Sequence, residues 1–235
     1  MHKEEVYIGS NDINMNLELR MSSLFRIIQE VIMHDTNDRG IGSKELMKDD
    51  ILWVITRVDV VINRLPKYEE TLTAITYAGK FMQMFYPRYF RLVDKNGNVV
   101  INFSSIWAII DKNSRRPILK CPFESKLLEE HFDDELPLPS KIEIKDSKLI
   151  EKRIIHYSDV DLNNHLNNTR YIELIDDIHD SIFHKEHPTK RLTLNYLKEI
   201  KENSVVEIKS NKENPEFVEV TTDGQVSFVG LIEYK

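Results

Sequence analysis

The chain repeats its own plan, and that feature constrains the fold more than any other. Leu24, Ile27, Ile28, Val31 and Ile32 recur at helical spacing after Ser22-Ser23, a predicted cap. Tyr171, Leu174, Ile175 and Ile178 do the same after Asn167-Asn168, 147 residues on (24 + 147 = 171). Strand-like runs follow both helices. Residues 57–63 lie over residues 191–197, an offset of 134, so that Val58, Val60 and Ile62 match Leu192, Leu194 and Tyr196 with a period of two. The same register continues through residues 68–75 and 202–209. A third match sets residues 90–99, with the turn Asn96-Gly97, over residues 217–226, with Asp223-Gly224. Both dipeptides are strong hairpin signals. Each unit reads as a strand, a long helix and several antiparallel strands, which is an α+β layer. The predicted division is 1–120, a connector 121–148 and 149–235. The connector, with Pro122, Glu129-Glu130, Asp133-Asp134-Glu135, Pro137 and Pro139, reads as exposed linker.

Composition enters as a filter. At 41% hydrophobic and 30% charged residues, 235 residues suffice for a real core. A net charge of −7 argues against general nucleic-acid binding. No apolar run approaches the ~18 residues of a membrane span. Cys121 stands alone, so no internal disulfide forms and a reducing, cytoplasmic setting is expected. The start of the chain lacks the basic and apolar pattern of a signal peptide.

One junction is far more polar than a buried strand-to-helix connection requires. From Ser158 to Asn168 it holds Asp159, Asp161, Asn163, Asn164, His165, Asn167 and Asn168. Part of this serves turns and caps, and Asn167 or Asn168 is the expected helix cap. The rest suggests chemistry. Asp161, Asn163 and His165 alternate onto one side of a predicted extended run just before a helix N-terminus. An imidazole suits proton transfer, a carboxylate can orient it, and helix amides favour an oxyanion. The equivalent place in the first unit, near Glu18 to Met21, lacks the cluster.

The segment Ser158-Asp159-Val160-Asp161-Leu162-Asn163-Asn164-His165-Leu166-Asn167-Asn168, with Tyr171, resembles the active-site signature of acyl-acyl-carrier-protein thioesterases. Leu52-Trp53-Val54-Ile55-Thr56-Arg57 and Ile106-Trp107-Ala108-Ile109-Ile110-Asp111, followed by Arg115-Arg116-Pro117, resemble that family's two tryptophan motifs. The resemblance implies two tandem hotdog folds, the first holding the acyl-chain pocket and the second the catalytic groups. It implies hydrolysis of fatty acyl thioesters on acyl carrier protein, with no cofactor and no metal. Its site positions fall on Asp161, Asn163, His165 and Glu199. Plant members carry a cysteine next to that glutamate; here Ile200 stands there. Attack by water, with Glu199 or His165 taking the proton, is therefore expected over a covalent cysteine route. Acyl-CoA hydrolysis, hotdog dehydration and non-catalytic acyl-thioester binding are the competing readings.

Weaker signals complete the survey. His179, His184 and His187, near Asp176, Asp177 and Asp180, read as a solvated helix end and not a metal site. His156 lies in the strand leading to the signature. Residues 81–86 read as strand core and as possible tunnel wall. An acidic carrier needs basic patches, for which Lys112, Arg115 and Arg116, or Lys185, Lys190 and Arg191, are candidates. With two hotdogs in one chain, a monomer or a homodimer is expected.

Overall fold

The computed structural model describes residues 1–127, 129–131 and 135–235. Among them, ten strands build one antiparallel sheet. The first half supplies β1 (His2–Tyr7), β2 (Ile51–Ile62), β3 (Thr71–Ala78), β4 (Tyr86–Val93) and β5 (Val99–Asp111). The second supplies β6 (Lys148–Ile154), β7 (Thr189–Tyr196), β8 (Val205–Ser210), β9 (Glu216–Thr222) and β10 (Gln225–Tyr234). Their order is β1-β3-β4-β5-β2-β7-β10-β9-β8-β6, the same plan read from either edge. The halves join where β2 pairs with β7, Arg57 facing Asn195, Asp59 facing Thr193 and Val61 facing Arg191. Asp59 and Thr193 are 134 residues apart (193 − 59), the offset of the repeat, so a local two-fold axis passes through this pair.

Among the described residues there are four α-helices, α1 (Met21–Asp38) and α2 (Ser43–Leu46) in the first half and α3 (Asn168–Asp176) and α4 (Ser181–Glu186) in the second. The starts of α1 and α3 are separated by 147 residues (168 − 21). Strand alternation turns Val58, Val60, Ile62, Leu192 and Leu194 toward one face, and all are buried in the main core. Leu24, Ile28 and Val31 of α1 and Tyr171, Leu174 and Ile175 of α3 close onto that face. Each such side chain contributes about 1.5–3 kcal/mol by burial. A long helix laid on an antiparallel sheet, twice over and joined edge to edge, is the expected pair of tandem hotdog folds. Among the described residues no helix is long and apolar enough to cross a membrane.

Several local expectations are corrected. Helix α1 begins at Met21 with Arg20 at its N-cap, and no side chain caps it. Ser22 and Ser23 lie inside the first turn, because the preceding turn is pinned at Leu19, whose N–H donates to the Pro66 carbonyl at 2.8 Å. The second helix is cut short. Asp180 caps α4, accepting from Ile182 and Phe183, so Ile178 packs on the core from a turn. Residues 81–86 are not a strand. Gln83 adopts a left-handed φ of 56° between Met82 and Phe85, which bridge each other, and β4 starts only at Tyr86.

The connector is also less exposed than expected. Cys121 and Phe123 are buried with Tyr86 against Trp53. Further on, the chain straps the sheet face opposite the helices. Ser104 Oγ donates to the Pro137 carbonyl at 2.8 Å. The Asn195 side chain donates to the Ser140 carbonyl and accepts from the Ile142 N–H at 2.9 Å. Ile142 is buried with Phe217 and Val229. These polar bonds make a proline-rich strap compatible with a sheet surface. Asp133 and Asp134 lie outside the described residues.

Candidate active site

The polar junction folds as a tight turn and not as an extended run. The Asp161 N–H donates to the His165 carbonyl at 2.8 Å, and the Asn164 N–H to the Asp161 carbonyl at 3.0 Å. Asn164 takes the left-handed conformation, with φ 60°, which asparagine tolerates better than most residues. Asp161 Oδ1 accepts the N–H groups of Asn163, at 2.8 Å, and His165, at 3.4 Å. Its carboxylate therefore shapes the turn that presents the other two side chains.

The turn is docked onto the segment after β7. Leu166 N–H donates to the Ile200 carbonyl at 2.7 Å, and His165 bridges Lys201. This register sets His165 Nε2 3.2 Å from Glu199 Oε2. Ile200 points the other way, fully buried in the core. Asn167 caps α3, its Oδ1 accepting the Thr169 N–H at 3.0 Å, as one of the two expected caps. That bond occupies the Thr169 amide. Asn168 still lines the cavity, so the positive end of the α3 dipole faces it.

Asp161, Asn163, His165 and Glu199 all line one cavity of about 370 Å³, walled from the first half by Leu52, Trp53, Ile55 and Arg115. Arg115, expected as part of a docking patch, also belongs to this cavity, where its guanidinium forms an ion pair with Glu199. The cause is a turn at the end of β5. Arg115 N–H donates to the Asp111 carbonyl and Asp111 N–H to that of Arg116, both at 2.9 Å, with Arg115 at φ 59°. Its position just after the second tryptophan motif was the available signal.

His165 is 17% exposed. Burial pushes its imidazole below the ordinary histidine pKa, the Arg115 and Lys201 cations add to this, and Asp161 opposes it. The downward shift favours the neutral form of the ring, the form that can accept a proton.

Two smaller spaces adjoin this cavity in series. Ile55, Asn168 and Tyr196 are shared with a gap of about 20 Å³ bounded by Phe25 and Ile28. Gln29, Ile32 and Trp107 are shared in turn with a space of about 70 Å³ beside Tyr86, where Arg88 stands. Both tryptophans are held by hydrogen bonds, Trp53 to the Ile41 carbonyl and Trp107 to Ser105 Oγ, each at 2.9 Å.

The first half repeats the turn without its chemistry. The equivalent place is residues 14–18, a little earlier than expected. Asn14 Oδ1 accepts the N–H groups of Asn16, at 2.9 Å, and Glu18, at 3.2 Å. Leu17 has φ 58° where Asn164 has 60°. Ile13 bridges Leu19 and Glu18 bridges Lys67, as Val160 bridges Leu166 and His165 bridges Lys201. Glu18 thus stands for His165, and Leu65 (199 − 134) for Glu199. A groove of about 500 Å³ lies there, but it has no imidazole–glutamate pair at the matching place.

His179, His184 and His187 bond to three different partners. His179 Nε2 lies 2.7 Å from Glu216 and its ring stacks on Phe183. His184 Nε2 meets the Asp176 carbonyl and His187 Nδ1 the Phe183 carbonyl. In place of a solvated helix end, His179 is nearly buried. Among the candidate basic residues, Arg191 is bound to Asp59 at 2.6 Å.

Comparison with known proteins agrees with this arrangement. The model of the acyl-ACP thioesterase N-terminal domain matches residues 1–121, and that of the C-terminal domain residues 142–230. The chain is 26% identical over 222 residues to a chloroplastic palmitoyl-acyl carrier protein thioesterase of Cuphea hookeriana, covering 87% of this chain and 53% of that protein. It is 24% identical over 221 residues to the Arabidopsis thaliana palmitoyl-acyl carrier protein thioesterase, again covering 87% and 53%. It thus spans about half the length of these relatives. The crystal structure of an acyl-ACP thioesterase from Bacteroides thetaiotaomicron superposes with a TM-score of 0.89 at 24% identity, covering 100% of this chain and 97% of that one. The 12:0-ACP thioesterase of Umbellularia californica gives 0.87 at 19% identity, covering 100% and 96%. Two family models in order, over nearly all of a doubled hotdog sheet, establish that the chain belongs to the acyl-ACP thioesterase family.

Proposed function

We propose that this chain hydrolyses the thioester between a fatty acyl group and the phosphopantetheine arm of acyl carrier protein, releasing free fatty acid. The observation that carries the reading is the 3.2 Å contact between His165 and Glu199 in a cavity that adjoins apolar space. A water held against this pair gives up a proton to it while its oxygen attacks the thioester carbon. The carbonyl oxygen gains charge beside Asn163 and the start of α3. Collapse breaks the C–S bond, and the proton passes to the departing thiolate. Asp161 holds the turn in place, and Arg115 positions Glu199. Residues 1–120 supply the acyl-chain pocket, and 149–235 the reacting groups.

A panel of acyl chains, each on carrier protein and on CoA, tests this reading. Release of free acid from carrier thioesters, faster than from CoA, is the expected result. Processing of a 3-hydroxyacyl substrate without free acid would replace it by dehydration. Binding without turnover would replace it by an acyl-thioester sensor. For docking an acidic carrier, Lys112 and Arg116 stand beside Arg115 in the turn after β5, and Lys198 lines the cavity. Arg115 is spent on Glu199, so reversing its charge cannot separate docking from catalysis.

Arg115 carries its own expectation. Its cation holds the His165 pKa down, and the neutral imidazole is the working form. In Arg115→Ala the pKa rises, so the acidic limb of the kcat/KM profile moves to higher pH. An unmoved limb would show that Arg115 does not act on His165.

A further inference from the structure

A second constellation lies outside the reactive cavity, between the edge strand β1 and the last turns of α1. His2 and Glu4 alternate onto the side of β1 that meets the helix, where His34 and Asp38 stand one turn apart. Glu4 Oε2 lies 2.8 Å from His2 Nε2 and 2.8 Å from His34 Nδ1. One ligand atom from each of the three residues lies within 4.8 Å of the other two. The other nitrogen of His2, Nδ1, lies 3.5 Å from Asp38 Oδ2. This contact separates the cluster from an ordinary surface ion pair. A carboxylate on the far nitrogen of an imidazole fixes the ring and makes the near nitrogen a better ligand.

We propose that His2, Glu4 and His34 bind one divalent first-row transition cation, with Asp38 orienting His2. Two imidazoles and a carboxylate are a donor set such cations take, and a catalytic-type shell of three protein ligands leaves one position for water. Bonds of about 2.0–2.1 Å in a tetrahedron set the donors about 3.3 Å apart. The 2.8 Å contacts therefore need to open only slightly. The side chains of His2, Glu4 and His34 are 17%, 27% and 51% exposed, which leaves an entry path for the ion. The cation ties an edge strand of the sheet to the helix above it.

The test uses the full chain without an affinity tag, stripped with a chelator and titrated with zinc chloride by calorimetry and by thermal unfolding. One equivalent of zinc should bind and raise Tm. His2→Ala, His34→Ala and Glu4→Gln should each remove the binding and the rise. Asp38→Asn should keep one equivalent but weaken it about 10–100-fold. His184→Ala and His165→Ala, which remove imidazoles elsewhere, should bind zinc as wild type does. Glu4→Gln and Asp38→Asn are nearly isosteric, so they keep the test valid if a histidine variant folds poorly. Absence of saturable zinc binding by wild type would overturn the proposal. So would unchanged affinity in His34→Ala and Glu4→Gln, or loss of binding in His165→Ala or His184→Ala.

Discussion

Replacing His165 with alanine is expected to lower kcat/KM on acyl carrier substrates by about 10²-fold or more, the range of a lost acid–base group. Glu199→Ala should cost the same order. The two side chains meet at 3.2 Å and would act on one water, so their losses should not add. The double variant should resemble the worse single one. The turn that carries His165 is held by bonds from Asp161 to backbone groups, which the substitution leaves in place, so Tm serves as the control for folding. Steady-state kinetics on the three variants, with Tm as control, decide the matter. Near-normal turnover in a folded His165→Ala protein would remove the imidazole from the mechanism. Fully multiplicative losses in the double variant would mean that the two groups serve separate steps.

Asp35→Ala is expected to destabilise the fold by about 3–5 kcal/mol, because it strands a buried guanidinium. Arg88 on β4 pairs with Asp35 on α1, their side chains being 7% and 5% exposed. Arg39 Nε adds a second bond to Asp35 at 2.9 Å. Burial alone would raise the Asp35 carboxyl, but Arg88 and Arg39 outweigh it and hold it below the usual carboxylate range. Burial acts on Arg88 too, lowering its pKa, and Asp35 pulls it back. Removing Asp35 keeps the desolvation and discards the compensation. Replacing both partners with apolar side chains, as in Asp35→Leu with Arg88→Met, should recover most of the loss. Urea unfolding of the single and double variants measures this. A single variant within about 1 kcal/mol of wild type would show that the pair is solvated or dispensable.

The doubled plan was legible because it rests on short-range periodicity. Val58, Val60 and Ile62 alternate over a few residues, and sheet pairing preserves that alternation. The offset of 134 even marks where the halves meet, since it carries Asp59 onto its own partner Thr193. The four expected site residues line one cavity for a related reason. Three lie in a single turn, and the fourth neighbours Ile200, whose carbonyl pins that turn. Arg115 was not legible. Its distance from Glu199 depends on how the end of β5 folds back, and no local pattern reports that. The strap formed by residues 137–142 was hidden likewise, because its two prolines, following an acidic run, match a solvated linker. Only the partners on the sheet, Ser104 and Asn195, distinguish the two.

The twin turns carry a consequence for how such a chain can change. Asn14 and Asp161 perform the same task with different head groups, each gathering two amides of its own loop. The shape of the turn is therefore encoded at 14 and 161, apart from positions 165 and 199, to which the proposal assigns the chemistry. On the proposed mechanism, drift at Glu18 or Leu65 answers to packing and solubility, whereas drift at His165 or Glu199 answers to turnover. A duplicated fold can in this way keep one architecture in both halves while only one of them carries the reacting groups.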